Sequence, residues 1–316
     1  MFDWALSDRG SSDLVAAVDC GTNSIRLLIA SAGADGGLVQ IDRRMQIVRL
    51  GQGVDATGRF APEALERVFK ASDEYAGLIR AAGVSRTRFV ATSAARDVSN
   101  SDEFFAGIAE RFGVQPEIIS GAEEASLSFR GATGGLAALA VPGPYLVADI
   151  GGGSTELILG DESGVIAAES LNVGSVRMTE RHIKADPSTA AELAAAGKDI
   201  DALLDSTSVP ITSARALIGV AGTVTTVAAV VGKLTEYDSA RIHHARISGP
   251  QLRETTYWLT RSTKAERVTN PAIHPGRVDV IGVGALILQR LYDRMAVGEV
   301  IVSEHDILDG VALSLL

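Results

Sequence analysis

Cysteine is nearly absent from this chain of 316 residues, since Cys20 is the only one. One cysteine excludes an internal disulfide and a structural zinc site made of cysteines. No run of 18 consecutive apolar residues occurs, so the sequence predicts no transmembrane helix. Positive charge is also scarce, because 29 Lys and Arg stand against 39 Asp and Glu and leave a net charge of −10. This acidity argues against nucleic acid and against an anionic membrane as the main partner.

What is present indicates a folded protein of two domains. Apolar residues make up 46% of the chain, which excludes wholesale disorder, and domains usually contain roughly 100–200 residues. The N-terminal stretch MFDWALSDRGSSD contains acids before any long apolar run and lacks the basic-then-apolar order of a signal peptide. We therefore expect a cytoplasmic protein.

An internal repeat organises the sequence. Residues 15–30 read VAAVDCGTNSIRLLIA and residues 145–160 read YLVADIGGGSTELILG, and they align at an offset of 130 residues, with Asp19 on Asp149. Further along, the segment VATS falls on VAGT at the same offset. Two matches in one register predict that the chain contains two copies of one domain plan.

Each copy begins with an apolar run, a turn of glycine and small polar residues, and a second apolar run. This order is typical of a buried hairpin with an exposed turn. Backbone N–H groups in glycine turns can bind phosphate oxygens. For either turn alone, an ordinary structural hairpin is the better interpretation. The pair, with an acid at the same place in each copy, favours two turns that hold a phosphate chain from both sides of a cleft.

Two acids flank the second glycine turn. Asp149 and Glu156 stand on either side of the sequence IGGGST, so a tight hairpin would turn both carboxylates toward one pocket. Oxygen ligands beside bound phosphate are typical of an Mg²⁺ site, and the alternative for Glu156 is a solvated strand residue. In the first copy Arg26 occupies the position of Glu156. The two hairpins are thus predicted to offer opposite charges, a cation for phosphate and an anion for metal.

Several other charged residues have two interpretations. Glu123 and Glu124 follow a predicted strand, where they either stabilise a helix N-terminus or place one carboxylate in the cleft as a general base. Arg96 follows another predicted strand and is either a surface arginine or a phosphate ligand, and the repeat favours the ligand. Three arginines near the first hairpin form either a basic rim or a set of solvated strand charges: Arg43, Arg44 and Arg49.

Helical and strand patterns alternate along the chain and predict an α/β fold. Helices are predicted over residues 62–81, 102–113, 186–205, 249–263 and 276–295. Short strands are predicted at RTRFV, VQPEIIS and EVIV, and the last is followed by a loop and a final helix.

Five motifs occur in one order along the chain: DCGTNSIRLLIA, TSAAR, SGAEEA, DIGGGSTELI and GVAGT. In these motifs the sequence resembles the Ppx/GppA family, the exopolyphosphatases and guanosine pentaphosphate phosphohydrolases of the acetate kinase/Hsp70/actin superfamily. The resemblance covers nearly the whole chain. It implies a duplicated actin-like α/β fold of the ribonuclease-H-like type, with two domains around a cleft. The implied domains are residues 1–122 with the C-terminal segment 303–316, and residues 123–302.

The resemblance also implies roles for residues in these motifs. Glu124 is implied to be the catalytic base that activates water. Asp149 and Glu156 are implied to bind the metal ion, Mg²⁺ or alternatively Mn²⁺. The implied phosphate contacts are Gly21, Thr22, Asn23, Ser24, Arg26, Arg96, Gly152, Gly153, Ser154, Thr155, Gly222 and Thr223.

The C-terminus departs from the pattern of that family. The family usually has S-D-x-G-L-R-E-G, whereas residues 303–310 read SEHDILDG, so Asp306 replaces the glycine. No binding role is therefore carried over to this segment. Longer relatives continue into extra helical domains that help to hold long polymers, which makes short-chain polyphosphate the expected substrate.

The expected activity is metal-dependent hydrolysis of the terminal phosphate of inorganic polyphosphate, with release of orthophosphate. Three alternatives stay open: hydrolysis of guanosine pentaphosphate (pppGpp), a kinase that needs an acceptor, and a nucleotide-binding module without turnover. The oligomeric state is also open, and a homodimer is one alternative.

Overall fold

The computed structural model of the protein describes residues 14–34, 37–96 and 98–316. The acidic N-terminal stretch, residues 1–13, lies outside the described residues. The strands are β1 (Val15–Cys20), β2 (Ser24–Ala32), β3 (Leu38–Ile47), β4 (Arg86–Ala91), β5 (Glu117–Ile118), β6 (Tyr145–Ile150), β7 (Thr155–Asp161), β8 (Gly164–Leu171), β9 (Ala216–Val220), β10 (Arg246–Ser248) and β11 (Glu299–Val302). The helices are α1 (Val54–Thr57), α2 (Pro62–Ala81), α3 (Ser93–Arg96), α4 (Ser101–Phe112), α5 (Gly121–Thr133), α6 (Ser175–His182), α7 (Ala190–Asp205), α8 (Ala221–Val231), α9 (Ser239–Ile242), α10 (Gly249–Arg261), α11 (Lys264–Val268), α12 (Ile281–Tyr292) and α13 (Ile307–Leu313).

Two sheets repeat the same strand plan. The first has the order β3-β2-β1-β4-β5 and the second has the order β10-β11-β9-β6-β7-β8. In both sheets the hairpin strands pair antiparallel, and the first strand of the hairpin pairs parallel with a strand that follows a long crossover. The pairing registers also match, since Asp19 faces Arg26 across β1–β2 and Asp149 faces Glu156 across β6–β7. The predicted α/β fold with two copies of one strand plan is therefore confirmed.

Helices cover both faces of the first sheet, as the alternation of side chains along a strand requires. Ala16 and Val18 of β1 pack with apolar residues of α2 and α4. Val15 and Ala17 point to the other face, where they pack with residues of α13 and with Leu127 of α5. The final helix therefore returns to the first sheet, although it follows the last strand of the second sheet.

Helices α5 and α13 cross at very short range. A Cβ added at Gly131 of α5 would lie 1.9 Å from the Asp306 carbonyl oxygen, and one at Gly310 of α13 would lie 2.0 Å from the Leu127 carbonyl oxygen. Only glycine allows backbones to approach this closely. The start of α13 is thus fixed against the helix that links the two halves of the chain.

Some element boundaries differ from those expected. The predicted helix 62–81 is confirmed at both ends, and the helix that was predicted to stop at Gly113 does so, with a left-handed φ of 69° there. The helix expected over 276–295 begins only at Ile281, because Pro275–Arg277 form a separate turn of 3₁₀ helix. Helix α7 begins at Ala190 rather than 186, because Thr189 provides a capping box. The strand expected at VQPEIIS shrinks to β5. None of the helices in the described ranges is long and apolar enough to span a bilayer.

Candidate active site

A cavity of about 620 Å³ lies where the β1–β2 and β6–β7 turns meet the start of α8. It brings together twelve of the residues that the sequence singled out: Gly21, Thr22, Asn23, Ser24, Arg26, Glu124, Asp149, Gly152, Gly153, Ser154, Gly222 and Thr223. Glu124 comes from α5, so the helix that links the two halves of the chain also contributes to this cavity.

The two glycine turns face each other across the cavity. A Cβ added at Gly152 would lie 3.0 Å from the Cβ of Thr22, and these two residues occupy equivalent positions of the repeat. The absence of a side chain at Gly152 therefore lets the second turn approach the first. Backbone N–H groups of two such turns can surround the oxygens of a phosphate chain.

The third glycine motif, GVAGT, is the start of a helix rather than a loop. Ala221 follows β9 directly and has a left-handed φ of 65°, which is costly for a residue with a side chain. No side chain caps the N-terminus of α8 within the described part of the chain. Ala221, Gly222 and Thr223 all line the cavity, so the free N–H groups of this helix end are placed to bind an anion.

In the first hairpin, the Arg26 guanidinium lies between two carboxylates. Its Nη2 donates to Oδ2 of Asp19 at 2.5 Å, and its Nη1 donates to Oδ2 of Asp306. Burial raises the pKa of Asp19, and the charge of Arg26 opposes this effect. The other oxygen of Asp19, Oδ1, is buried without a hydrogen-bond partner among the described residues. The cation of this hairpin is thus present in the cavity but already paired.

The second hairpin holds two acids with no arginine between them. Asp149 accepts a hydrogen bond from the Ser128 hydroxyl at 2.7 Å, and Glu156 accepts one from the Ser170 hydroxyl at 2.6 Å. Burial, together with the nearby charge of Glu156, raises the pKa of Asp149 to about 8. Burial also raises the pKa of Glu156. Among the described residues no arginine forms an ion pair with either acid, and the more distant charges of Arg26 and Arg96 oppose the effect of burial only in part.

This pair fits a magnesium ion better than a metal held by protein ligands alone. Among the described residues, no group of three or more His, Cys, Asp and Glu is arranged to hold a metal ion. Mg²⁺ usually binds one or two carboxylates and completes its shell with water and substrate phosphates. Asp149 and Asp19 both line the cavity, and Oδ1 of Asp19 has no hydrogen-bond partner among the described residues. The donor set thus suits Mg²⁺ that arrives together with a phosphate chain.

The structure places the adjacent acids Glu124 and Glu123 in different environments. The Glu124 carboxylate is buried and accepts a hydrogen bond at 2.8 Å from Arg96, which also donates to the Ile119 carbonyl at 2.9 Å. Glu123 is directed to the surface, where it forms an ion pair with Arg88 at 2.6 Å. Burial raises the pKa of Glu124 well above its usual value, and the charge of Glu156 contributes in the same direction. A carboxylate with a raised pKa next to a phosphate-type cavity can act as a general base.

Three of the predicted site residues do not line the cavity. Arg96 instead holds the Glu124 carboxylate, and Glu156 lies behind the wall beside Asp149. Thr155 is a correction, because its side chain is fully buried and its hydroxyl donates to the Val173 carbonyl at 2.6 Å. Neighbouring strand residues point to opposite faces, so Thr155 must point away from the side that Glu156 occupies. The Thr155 side chain is therefore unavailable for phosphate.

Two residues of the cavity region were missed by the sequence analysis. Arg277 lines the cavity, and its guanidinium has no hydrogen bond or ion pair within the described part of the chain. Burial lowers its pKa to about 10, so it stays charged at neutral pH. The dipeptide Pro275–Gly276 before it signalled a turn that the expected helix concealed. Asp306 was noted as a departure from the family pattern, but its contact with Arg26 could not be foreseen.

An outer groove of about 1470 Å³ continues from the cavity, and Arg26 and Arg277 line both. Arg43 and Arg44 line this groove, and both interpretations of these arginines apply in part. Arg43 forms an ion pair with Asp309 at 2.5 Å, and Arg44 forms an exposed pair with Asp42. The third arginine of that set, Arg49, pairs with Asp279 at 3.0 Å across the cleft.

Comparison with known proteins agrees with this geometry. The model of the Ppx/GppA phosphatase family matches residues 28–316. The chain is 48% identical over 315 residues to Exopolyphosphatase 2 of Mycobacterium tuberculosis, which covers 95% of this chain and 98% of that protein. A crystal structure of an exopolyphosphatase-like protein superposes with a TM-score of 0.93 at 44% identity, over 96% of this chain and 98% of that one. The Aquifex aeolicus PPX-GPPA enzyme superposes with a TM-score of 0.79 at 30% identity, over 96% and 99% of the two chains.

The family match covers most of the described residues, including the second glycine turn, Glu124 and the acids of the second hairpin, and it begins after the first glycine turn and Arg26. The chain therefore belongs to the Ppx/GppA phosphatase family.

Proposed function

We propose that this protein is an Mg²⁺-dependent exopolyphosphatase that removes the terminal phosphate of inorganic polyphosphate. The observation that carries the proposal is the buried Glu124 carboxylate, which Arg96 holds at the wall of a cavity between two glycine turns. The similarity to proteins named exopolyphosphatase supports the choice of polyphosphate.

The phosphate chain would be held by charge and by backbone groups. The turns before Ser24 and Ser154 and the start of α8 offer N–H groups, and Arg26 and Arg277 offer guanidinium groups. Hydrolysis of a phosphoanhydride depends mostly on positioning and on the stabilisation of negative charge. A cavity with these donors meets both requirements.

Asp149 and Glu156 are the residues that would hold the magnesium ion, as their shared burial and unbalanced charge suggest. When bound, Mg²⁺ neutralises charge on the phosphate oxygens and on the leaving group. The Ser128 and Ser170 hydroxyls orient the two carboxylates, and this fixes which of their oxygens remain free for the ion.

Glu124 would orient the attacking water and accept its proton. The water oxygen forms the new bond to the terminal phosphorus, while the bond from that phosphorus to the bridging oxygen breaks. The bridging oxygen leaves on the shortened chain, and the products are orthophosphate and a chain with one phosphate less. Arg96 keeps the carboxylate in place for this step, since it donates to both Glu124 and the Ile119 carbonyl.

Hydrolysis of pppGpp is the second candidate, and the outer groove favours it. Tyr237 is 56% exposed and lines the groove, and the exposed Pro271 lines it as well. An exposed aromatic ring beside apolar surface can stack against a nucleobase. The chemistry at Glu124 would be the same for this substrate.

The test is orthophosphate release with Mg²⁺ from short polyphosphate, long polyphosphate and pppGpp, with no acceptor other than water. We expect release from polyphosphate, and we expect Glu124→Gln to lower kcat by roughly 10²–10⁴-fold, the usual contribution of a general base. KM should change little, because the amide keeps the shape of the carboxylate.

Glu123→Gln is the matched control, since it alters the neighbouring acid, which faces the surface. It should retain nearly full activity. Faster hydrolysis of pppGpp than of polyphosphate would identify pppGpp as the substrate. Loss of the terminal phosphate only after a phosphoryl acceptor is added would indicate a kinase. Binding of nucleotide without turnover would contradict the hydrolase.

A further inference from the structure

A capping box at the start of α13 holds two arginines of the first sheet. Asp306 accepts a hydrogen bond from the Leu308 N–H at 3.0 Å, and its own N–H donates to Asp309 at 3.0 Å. The remaining oxygen of each carboxylate binds an arginine, Arg26 at Asp306 and Arg43 at Asp309. Both carboxylates are buried. The C-terminal segment thus places two negative charges against the cations that face the phosphate path.

Asp306 lies where the inner cavity continues into the outer groove. Arg26 and Arg277 line both spaces, and Asp306 lines the groove beside them. A phosphate chain whose last phosphorus is near Glu124 must therefore pass Arg26. At that point Asp306 occupies a guanidinium that would otherwise bind the chain.

The backbone conformation at residue 306 does not require an acidic side chain. Its φ of −149° and ψ of −151° are extended and suit any residue, and asparagine or serine can cap a helix about as well as aspartate. The aspartate therefore adds a negative charge, and this charge lies against the Arg26 guanidinium.

We propose that Asp306 is a positioning residue that competes with substrate phosphate for Arg26 and thereby makes polyphosphate cleavage distributive. The proposal rests on the exopolyphosphatase function proposed above. After each cleavage the shortened chain must move inward by one phosphate, and its hold on Arg26 is then broken. Asp306 then binds the Arg26 guanidinium again, so the shortened chain dissociates instead of moving inward.

A binding measurement tests the competition without turnover. Calorimetry with tripolyphosphate and Mg²⁺ compares Glu124→Gln with the double variant that also carries Asp306→Asn. We expect the double variant to bind about tenfold more tightly, because one charged partner of Arg26 is lost while the cap remains. In an Arg26→Ala background, Asp306→Asn should have no effect on affinity, because Asp306 acts through that guanidinium.

Asp205→Asn in the Glu124→Gln background is the matched control for net charge, because Asp205 is exposed and pairs with Arg294 on the second domain. It should leave the affinity unchanged. If Asp306→Asn fails to fold, Asp306→Ser keeps a capping oxygen and provides the same comparison. Equal affinity with and without the Asp306 carboxylate would overturn the proposal.

Hydrolysis by the variants provides the second readout. With Glu124 intact, Asp306→Asn should lower KM for polyphosphate about tenfold while kcat changes by less than about threefold. Product lengths from long polyphosphate should shift from a full ladder of intermediates to uncut chains and very short products. An unchanged ladder in Asp306→Asn would refute the role of Asp306 in making cleavage distributive. Absence of hydrolysis by the wild type would instead refute the proposed function, and the calorimetry would still decide whether Asp306 competes for Arg26.

Discussion

The β1–β2 and β6–β7 hairpins have the same register and turn, but they differ in the charge at one position. Across the first hairpin Asp19 faces Arg26, and across the second Asp149 faces Glu156. The first pair neutralises itself at 2.5 Å, whereas the second concentrates negative charge that burial makes unfavourable. One duplicated backbone thus supplies a cation on one side of the cleft, which we propose to face phosphate, and an acid on the other, which we propose to face the metal ion.

The largest expected difference between the hairpins concerns their equivalent aspartates. Asp149→Asn should lower kcat/KM roughly 100- to 1000-fold and raise the Mg²⁺ concentration needed for half-maximal activity, because it removes a proposed metal ligand. Asp19→Asn should cost only about tenfold, because one Asp19 oxygen is already paired with Arg26 and only its Oδ1 remains free for an ion. Phosphate release measured across a series of Mg²⁺ concentrations compares the two. Equal losses, with equal shifts in the Mg²⁺ requirement, would show that the hairpins do not divide their roles.

The second prediction concerns stability and pH without metal. The native pKa of Asp149, about 8, lies above its usual value of 3.8, so the folded state binds the proton more tightly than the unfolded state does. The stability that this proton provides is complete below pH 4 and is lost as the pH rises through 8. Tm should therefore fall between pH 6 and pH 9.

Addition of Mg²⁺ should reverse this loss, since the ion binds the ionised carboxylates. The Mg²⁺-induced increase in Tm should be larger at pH 9 than at pH 6 by roughly 2–4 °C, the shift that about 1 kcal/mol causes in a protein of 150–250 residues. Differential scanning calorimetry measures both. Asp149→Asn should reduce the pH dependence more than Asp19→Asn does, while other buried acids such as Glu124 and Glu156 keep part of it. The reverse result would assign the main titrating acid to the first hairpin.

The smallest expected difference concerns the glycines of the two turns. A Cβ at Gly152 would lie 3.0 Å from the Thr22 Cβ and 3.2 Å from a methyl group of Val176, whereas one at Gly21 would meet nothing closer than 3.7 Å. Gly152→Ala should lower the free energy of unfolding by about 1 kcal/mol, and Gly21→Ala should change it very little. Urea denaturation provides both values. Equal costs would show that the second turn can retreat from the first without loss.

The sequence predicted the duplicated plan because the offset of 130 residues is visible in the motifs themselves. It also placed Glu124, Asp149 and the two glycine turns together, since their motifs recur in a known order. It failed for Thr155, whose side chain points to the opposite face of β7 from Glu156. It also failed for Arg277, because a turn of 3₁₀ helix replaces the start of the expected helix.

The amino-acid sequence by itself determined the strand plan, the turn residues and the identity of the acids, since these depend on local pattern and on repetition. Only the tertiary structure decided which charges meet. Arg26 and Asp306 are 280 residues apart along the chain, and Arg43 and Asp309 are 266 apart. They come together because Gly131 and Gly310 let α13 approach α5 closely enough to return to the first sheet. Such contacts depend on packing between distant elements, which no local pattern encodes.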